Sequence, residues 1–324
     1  MNPFQGKNVV IAGGAGMMGH SLIRKLLDQG AHVRATQYKT RKITITHRNL
    51  EIVTCNLLND EEASAIFRDM DIVFLAAAKV RGAKAMRDDP SGLILYNLNL
   101  HTKLLHLASV AKVEKCSLVS SSYVYPHTGK PNVEEEGFQG DPPAVGFGLG
   151  WVCRYLETLC KHLQMTGQTK FAIIRPTAYY GPHDLFDAEE SHVIPALIAK
   201  AVRRMDPFEV WGNGEDVRCF TYIEDVTDGL LQVVEKYAVA EGINICTAQS
   251  HTVRDVLPIL FRHLGFQPRV VFDPSKPSMM PYKVSNPAKA KKILGWEAKV
   301  SLEEGLKKTM DWHQAQLQVV GRKS

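Results

Sequence analysis

The chain of 324 residues carries 39 Lys and Arg against 34 Asp and Glu, a formal net charge of +5. Hydrophobic residues make up 45% of the chain and charged residues 23%, as in ordinary globular proteins. The positive charge is mild and scattered, which suits a small anionic ligand and argues against nucleic acid as a partner. No apolar run is long enough to span a bilayer, so we also expect no membrane contact.

The six cysteines show neither metal-ligand spacing nor a CxxC pair, so we expect no metal and reduced core thiols. The N-terminal stretch "MNPFQGKNVVIAGG" enters a strand directly and leaves no room for a signal peptide. We therefore expect a cytoplasmic protein.

Short apolar runs alternate with helical patterns along the first half of the chain. In order these are the strand NVVIAGG, the helix MMGHSLIRKLLDQG, the strands HVRAT and LEIVTCNLL, the helix EEASAIFRDM, the strand DIVFLAAA, the helix ILYNLNLHTKLLHLASVAKV, the strand KCSLVSSS, a helix from Trp151 and the strand KFAIIRP. In the last of these helices Trp151, Tyr155, Leu156 and Leu159 have amphipathic spacing. This alternation predicts an α/β fold with a doubly wound parallel sheet (Rossmann type), covered on both faces.

After Arg175 the pattern changes to long polar or proline-rich loops such as GPHDLFDAEESH and DPSKPSMMPYK. The segments VTDGLLQVVEKY and GINICTA then read as one more helix–strand unit that returns to the sheet. We predict a dinucleotide-binding domain of residues 1–174 and 222–247, and a smaller, interleaved substrate-binding domain of residues 175–221 and 248–324.

The segment GGAGMMG places Gly13, Gly16 and Gly19 between the first strand and the first helix. Glycines at this spacing permit a tight turn and a close approach of backbone to a pyrophosphate, which the first helical turn at Met17 and Met18 then binds through its N–H groups. A glycine triplet alone is weak, but its position after strand one predicts a dinucleotide site.

The end of the second strand normally carries an acidic residue that holds the adenosine ribose. Here that position is Gln37, and Lys39 and Arg41 follow. Cations without a carboxylate favour the 2′-phosphate of NADP(H), with NAD(H) as the alternative cofactor. A solvated basic loop explains the same residues equally well.

Several segments together resemble the extended short-chain dehydrogenase/reductase family of nucleotide-sugar enzymes: GGAGMMG, LAAAKV, VSSSYVYP, RPTAYYGPHD and FTYIEDV. AAAKVRGAKA, YGPHDLFDAEESHVIPALI and WGNGEDVRCFTYIEDV are most similar to the branch that epimerises and reduces 4-keto GDP-sugars. The similarity extends from about Val9 to Trp296. It implies an NAD(P)-dependent epimerase, dehydratase or reductase whose partner is a nucleotide-diphosphate sugar, with a GDP-sugar favoured. We also expect a homodimer.

The resemblance implies site residues position by position. To the cofactor residues named above it adds Asn56 and Leu57 beside the adenine, Ala76, Ala77, Ala78 and Asn97 along the cleft, and Pro176 and Thr177 beside the nicotinamide. It places His192, Trp211, Arg218 and Lys283 at substrate positions. The planar guanidinium of Arg218 suits a diphosphate.

The chain departs from the family at the catalytic tyrosine and at the lysine four residues later, which here are Leu149 and Cys153. In the family the tyrosine exchanges a proton at the sugar C4 oxygen, and the lysine lowers its pKa and holds the nicotinamide ribose. Leucine carries no proton and cysteine no positive charge. We expect Cys153 to be a packed thiol, because nothing in the sequence forces a cation beside it.

The remaining candidates for proton transfer are Ser121, which matches the catalytic Ser/Thr of the family, Tyr123 at the position of its epimerisation cysteine, and His183 as the histidine partner. We predict His183 as the base, titrating near neutrality, and Tyr123 as the donor. Tyr123 as a packing residue is an equal alternative. A different hypothesis for the whole chain is a catalytically silent homologue that keeps cofactor and sugar sites for sensing or for a partner.

Overall fold

The computed structural model describes residues 2–39, 41–80, 82, 88–188, 190–276 and 280–321. Its strands are β1 (Asn8–Ala12), β2 (His32–Gln37), β3 (Leu50–Thr54), β4 (Ile72–Leu75), β5 (Lys115–Val119), β6 (Lys170–Pro176), β7 (Tyr179–Tyr180), β8 (Phe208–Trp211), β9 (Val217–Arg218), β10 (Thr221–Tyr222), β11 (Gly242–Ile245), β12 (His251–Thr252), β13 (Val270–Asp273) and β14 (Tyr282–Lys283). Its α-helices are α1 (Met17–Asp28), α2 (Asp60–Ala65), α3 (Pro90–Val110), α4 (Phe147–Thr166), α5 (Val193–Val202), α6 (Ile223–Lys236), α7 (Val253–Leu264), α8 (Ala288–Leu294) and α9 (Leu302–Gly321).

Seven parallel strands form the main sheet in the order β3-β2-β1-β4-β5-β6-β11. Strand order reverses between β1 and β4, so the chain leaves these two strands in opposite directions and opens a crevice at their carboxyl ends. Each strand predicted for this sheet is present, and the predicted α/β fold is confirmed.

Helices cover both faces of the sheet because successive strand residues point to opposite sides. Val9 and Ile11 of β1 pack with apolar residues of α1 and α6, while Val10 and Ala12 pack with those of α3 and α4. These two clusters form the core on either side of the sheet and fix the positions of the loops at its carboxyl edge.

The second half of the chain adds small sheets beside this edge. Strand β7 pairs with β10, β8 with β13, and β9 with both β12 and β14. Between them α6 and β11 return to the main sheet, where β11 pairs with β6. The division into two domains with the boundaries given above stays a prediction.

All six cysteines are buried and none forms a disulfide, so the prediction of core thiols is confirmed. Within the described ranges, no helix combines the length and apolarity needed to cross a bilayer. The same residues contain no group of three or more His, Cys, Asp or Glu arranged to hold a metal ion.

Candidate functional site

The turn between β1 and α1 packs so tightly that it requires glycine. Gly13 has a positive φ of 99°, and a Cβ there would lie 2.5 Å from the backbone nitrogen of Ala77. A Cβ on Gly19 would lie 2.3 Å from the carbonyl oxygen of Gly13. At Gly16, by contrast, a Cβ would approach only that carbonyl, at 3.6 Å. The turn is therefore closed towards the sheet and open on the side of Gly16.

The first turn of α1 presents backbone N–H groups at this open side. Gly16 is the N-cap and provides no side-chain acceptor, and no acidic residue follows in the first turn. Helix geometry leaves the N–H groups at Met17 and Met18 without an intrahelical acceptor, and the helix dipole adds positive potential. These donors fit the oxygen-rich pyrophosphate of a dinucleotide.

Gln37 is the last residue of β2, and two cations follow it in the next loop. Neighbouring residues hold the Gln37 side chain in place. The Gln37 side chain donates to Thr54 Oγ1 at 3.0 Å and accepts from the Ile43 N–H at 3.0 Å. Lys39 and Arg41 are exposed, and residue 40 between them lies outside the described residues. The structure thus places two positive side chains where a ribose carboxylate is common, and cofactor choice stays a prediction.

The loops after β3 and β4 form the next part of the crevice. Asn56 accepts a hydrogen bond from the backbone two residues later, and Leu57 packs against the core. Asn97 of α3 pairs with both the N–H and the carbonyl of Lys79, at 2.9 Å each. Asn97 therefore fixes the loop that begins at Ala76, Ala77 and Ala78, while most of the motif AAAKVRGAKA beyond it lies outside the described residues.

The predicted site residues Ser121, Tyr123, Pro176 and Thr177 follow or end the adjacent strands β5 and β6. Ser121 is partly exposed, and its Oγ accepts a hydrogen bond from the Tyr123 N–H at 3.3 Å. Tyr123 itself is buried. Thr177, which follows Pro176, is buried and donates to Ser285 Oγ at 3.1 Å, which ties the end of β6 to the segment after β14.

The positions of the missing tyrosine and lysine lie on α4 beside this turn. Leu149 and Cys153 pack with Val124 and Tyr125 in a small apolar cluster. Desolvation raises the pKa of Cys153 to about 12, so this side chain is a neutral thiol at pH 7. The prediction of a packed thiol is confirmed.

Two basic side chains, Arg218 of β9 and Lys283 of β14, act on Tyr123. Lys283 and Arg218 are register partners in the parallel pair β9–β14. The Lys283 ammonium lies 3.7 Å from the centroid of the Tyr123 ring. Its charge also acts on Cys153 and His192. The sequence forces no cation beside Cys153, but the pairing of β14 with β9 brings the Lys283 charge within electrostatic range of it from the far end of the chain.

This cluster shifts the pKa values of its members. Desolvation, followed by the like charge of Arg218, lowers the pKa of Lys283 to about 7. Desolvation raises the pKa of Tyr123 to about 12, against the opposing effect of Arg218. His192 has an exposed side chain at the N-cap of α5, yet desolvation and then the Lys283 charge lower its pKa.

Arg218 is held in this cleft by its own neighbours. Its Nη2 lies 3.1 Å from Asp216 Oδ2, and Nη1 donates to the Val217 carbonyl at 2.8 Å. Trp211 ends β8, where its Nε1 donates to Glu209 Oε1 at 2.9 Å. No recorded ring, charge or hydrogen-bond contact joins Trp211 to Tyr123 or Lys283 in the described part of the chain.

His183 lies elsewhere. Its ring stacks on His20 of α1 at 3.6 Å and also contacts Trp312 of α9. Desolvation and then His20 lower its pKa to about 3, so the expectation that it titrates near neutrality was wrong. Among the described residues, none of its hydrogen bonds, ring contacts or charge interactions involves Tyr123, so the structure does not join the two.

A buried polar network beneath the turn was missed from the sequence. The Glu157 carboxylate accepts from Ser120 Oγ at 2.6 Å and from Arg175 Nε and Nη2 at 2.9 and 2.6 Å. Arg175 Nη1 donates to the Tyr125 hydroxyl at 3.0 Å, which donates to Asn244 Oδ1 at 2.6 Å. An arginine inside the apolar strand AIIRP was the available signal, because a buried charge needs a partner.

Two cavities lie outside this crevice, with volumes of about 490 and 340 Å³. None of the site residues predicted from the sequence lines either of them. We therefore place the candidate site in the cleft at the carboxyl edge of the sheet. Open α/β sheets bind their ligands at this edge.

Comparisons with known proteins agree on one group. A sequence model of the NAD dependent epimerase/dehydratase family matches residues 9–246. A GDP-L-fucose synthase from Sinorhizobium fredii is 31% identical over 313 residues, covering 94% of this chain and 95% of its own. A GDP-L-fucose synthase from Escherichia coli is 30% identical over 322 residues, with 94% and 96% covered. A crystal structure of UDP-glucose 4-epimerase from Thermotoga maritima with UDP-glucose superposes with a TM-score of 0.84 at 27% identity, covering 96% of this chain and 99% of that one.

Proposed function

Because the chain belongs to the NAD dependent epimerase/dehydratase family, we propose that it is an NADP(H)-dependent epimerase or reductase of a nucleotide-diphosphate sugar, with a GDP-sugar favoured. The observation that carries the proposal is that two binding features, one for the cofactor and one for the substrate, lie at the same edge of the sheet. The glycine turn and α1 offer donors for a dinucleotide pyrophosphate. Opposite the ends of β5 and β6, Arg218 and Lys283 form a basic cleft for an anionic substrate.

The residues of the crevice fit a nicotinamide dinucleotide in their chemistry. The N–H groups at the start of α1 would bind its pyrophosphate, and Lys39 and Arg41 would neutralise a 2′-phosphate. The loop that Asn97 fixes and the backbone at Pro176 and Thr177 would line the ring end. When bound, the cofactor supplies or accepts a hydride at a sugar carbon. NAD(H) remains the alternative cofactor.

The substrate side of the proposal uses the cations of the cleft. The guanidinium of Arg218 pairs through two parallel N–H groups with diphosphate oxygens. The partly exposed Ser121 donates a hydrogen bond to a sugar oxygen and polarises it. A buried Tyr123 with a raised pKa stays protonated, so its hydroxyl can donate a hydrogen bond to a sugar oxygen.

The acid–base pair of Tyr123 and His183 stays a prediction that the geometry does not favour. His183 stacks against α1 rather than beside Tyr123. Its lowered pKa makes it a weak base, and the raised pKa of Tyr123 makes it a weak acid. Efficient proton transfer needs groups whose pKa lies close to the working pH.

A second copy of the chain is the partner we propose for one helical face. Phe147, Trp151 and Tyr155 are 49%, 44% and 51% exposed along α4, and Leu95 on the adjoining α3 is 56% exposed. Large apolar side chains that share one face mark an interaction surface. Since α3 and α4 pack side by side, two copies can bury this face symmetrically as a homodimer.

Calorimetric titration tests the binding part of the proposal. We expect NADP(H) to bind, and a GDP-sugar to bind the cofactor-loaded protein more tightly than its UDP counterpart. Arg218→Gln should weaken sugar-nucleotide binding and leave cofactor affinity unchanged, because Arg218 belongs to β9 and not to the glycine turn. A protein that binds neither cofactor would contradict the proposal.

The second candidate is a catalytically silent homologue that binds the same ligands for sensing or for a partner. The observation that favours it is the apolar packing of Leu149 and Cys153 where the family has its tyrosine and lysine. A panel of nucleotide sugars assayed for turnover separates the two candidates. Binding without turnover supports the silent homologue.

A further inference from the structure

The ammonium of Lys283 has an unusual setting. It lies over the Tyr123 ring, beside Arg218 and close enough to Cys153 to affect its pKa. No hydrogen bond or ion pair holds this ammonium within the described part of the chain. The protein thus brings a positively charged donor to the cleft and leaves its N–H groups for a ligand.

Lys283 brings a positive charge near the position from which the sequence has lost a cation. Cys153 stands where the family has lysine, and the two side chains influence each other electrostatically. The groups that face Lys283 come from four elements: Cys153 from α4, Tyr123 from the turn after β5, Arg218 from β9 and His192 from the start of α5. Among these groups, Lys283 combines a titratable amine with an ammonium that no hydrogen bond or ion pair holds in the described part of the chain.

We propose, on the premise of the proposed function, that Lys283 is the acid–base group of this site and exchanges a proton with the keto-sugar held in the cleft. In the step, the free amine of Lys283 forms an N–H bond as the C–H bond beside the sugar carbonyl breaks. The electron pair of that bond moves into the carbonyl and gives an enolate. Return of the proton to the same carbon regenerates the amine, so no oxidant or reductant is consumed.

The surroundings of Lys283 suit this role. Desolvation and an adjacent cation are the two features that turn a lysine into a base at neutral pH. With a pKa of about 7, roughly half of the Lys283 side chains carry a free amine at pH 7. An ordinary lysine, with a pKa near 10.4, is almost fully protonated there.

The simpler role for Lys283 is a fixed charge that binds the diphosphate. Lys283→Arg and Lys283→Met distinguish the two roles. Arginine keeps the charge but cannot transfer a proton, whereas methionine removes both. A charge-only role predicts that the arginine variant retains activity; an acid–base role predicts that neither variant does.

Reductive methylation with ¹³C-formaldehyde gives a readout that is independent of turnover. The dimethyl-lysine signals are titrated by NMR, and the Lys283 signal is assigned by its loss in Lys283→Arg. We expect a midpoint near 7, and a higher midpoint in Arg218→Gln, because that change removes the like charge. A Lys283 midpoint near that of ordinary lysines would overturn the proposal.

The closing experiment measures deuterium uptake from heavy water into a bound 4-keto nucleotide sugar. At saturating sugar, Lys283→Arg and Lys283→Met should both exchange about a hundredfold to ten-thousandfold more slowly than the parent. Lys291→Met, at an exposed lysine that pairs with Glu297, is the control and should exchange like the parent. Cofactor binding and melting temperature show that each variant is folded.

The outcomes separate this inference from the proposed function. If the parent binds the sugar and catalyses its deuterium exchange, but Lys283→Arg does so equally fast, Lys283 acts only as a positive charge. The inference then fails, whereas the proposed function stands. If the variants lose affinity but not the exchange rate at saturation, the inference also fails. If the parent binds no nucleotide sugar, the proposed function fails and the inference falls with it.

Discussion

Replacing Glu157 by Gln should destabilise the protein strongly, because Glu157 balances a buried arginine. The two side chains are each 4% exposed and meet through two short contacts. The substitution keeps the shape of Glu157 but leaves the Arg175 guanidinium buried without its counter-charge. Breaking such a pair costs about 3–5 kcal/mol.

That cost can be expressed as a melting temperature. For a chain of 324 residues, an unfolding entropy of about 2.1 cal/mol/K per residue gives about 0.7 kcal/mol per degree. We therefore expect Glu157→Gln to lower the melting temperature by about 4–7 °C. The same change weakens the hydrogen bond from Ser120, next to Ser121, because a neutral amide oxygen is a weaker acceptor than a carboxylate, so sugar turnover should fall as well.

Differential scanning calorimetry measures the shift, and two further variants control it. Glu297→Gln breaks the exposed pair with Lys291 and should change the melting temperature by about 1 °C or less. Glu157→Leu combined with Arg175→Met removes both charges and should cost less than Glu157→Gln alone. If Glu157→Gln melts within about 1 °C of the parent, the pair does not hold the fold as argued.

Three other predictions follow from the cofactor loop, α4 and its exposed face. Lys39→Gln with Arg41→Gln should weaken NADP(H) more than NAD(H) in calorimetric titrations; equal losses would mean that the loop does not bind a 2′-phosphate. Leu149→Tyr with Cys153→Lys should raise NADPH oxidation on a 4-keto sugar nucleotide, and no gain would show that another donor already suffices. Trp151→Glu should convert the proposed dimer to monomer in sedimentation experiments, and an unchanged mass would place the interface elsewhere.

The fold was predictable because its signals are local. A doubly wound sheet is indicated by three features: continuous apolar strands, a glycine turn and alternation with helices. The predicted sheet was confirmed. The resemblance to nucleotide-sugar enzymes was also confirmed, since it rests on contiguous motifs. The predicted site residues themselves stay predictions.

The amphipathic reading of α4 was partly wrong. Spacing alone placed Trp151 and Tyr155 with Leu156 on one stripe, but both aromatic side chains are exposed. The helix packs through Cys153, Leu156 and its buried Glu157 instead. A hydrophobic pattern predicts which side chains are buried. It does not predict whether the same chain or a second copy of it buries them.

The electrostatics of the cleft could not be predicted from the sequence. Lys283 acts electrostatically on Cys153 because β14 pairs with β9, a contact between distant segments. The pKa of His183 falls through desolvation and then through His20, which the fold stacks against it. A pKa depends on burial and on neighbouring charges, and both arise from tertiary structure.

The central claim is that this chain still performs proton chemistry on a nucleotide sugar without the tyrosine and lysine of its family. In the most direct measurement, the parent protein is incubated with NADP(H) and a 4-keto GDP-sugar in heavy water. The sugar is then followed by NMR. We predict deuterium at the carbon beside the carbonyl, at a rate that rises as pH increases through about 7, where Lys283 loses its proton. A sugar that binds tightly yet keeps all its protons would contradict the claim and identify the chain as a silent homologue.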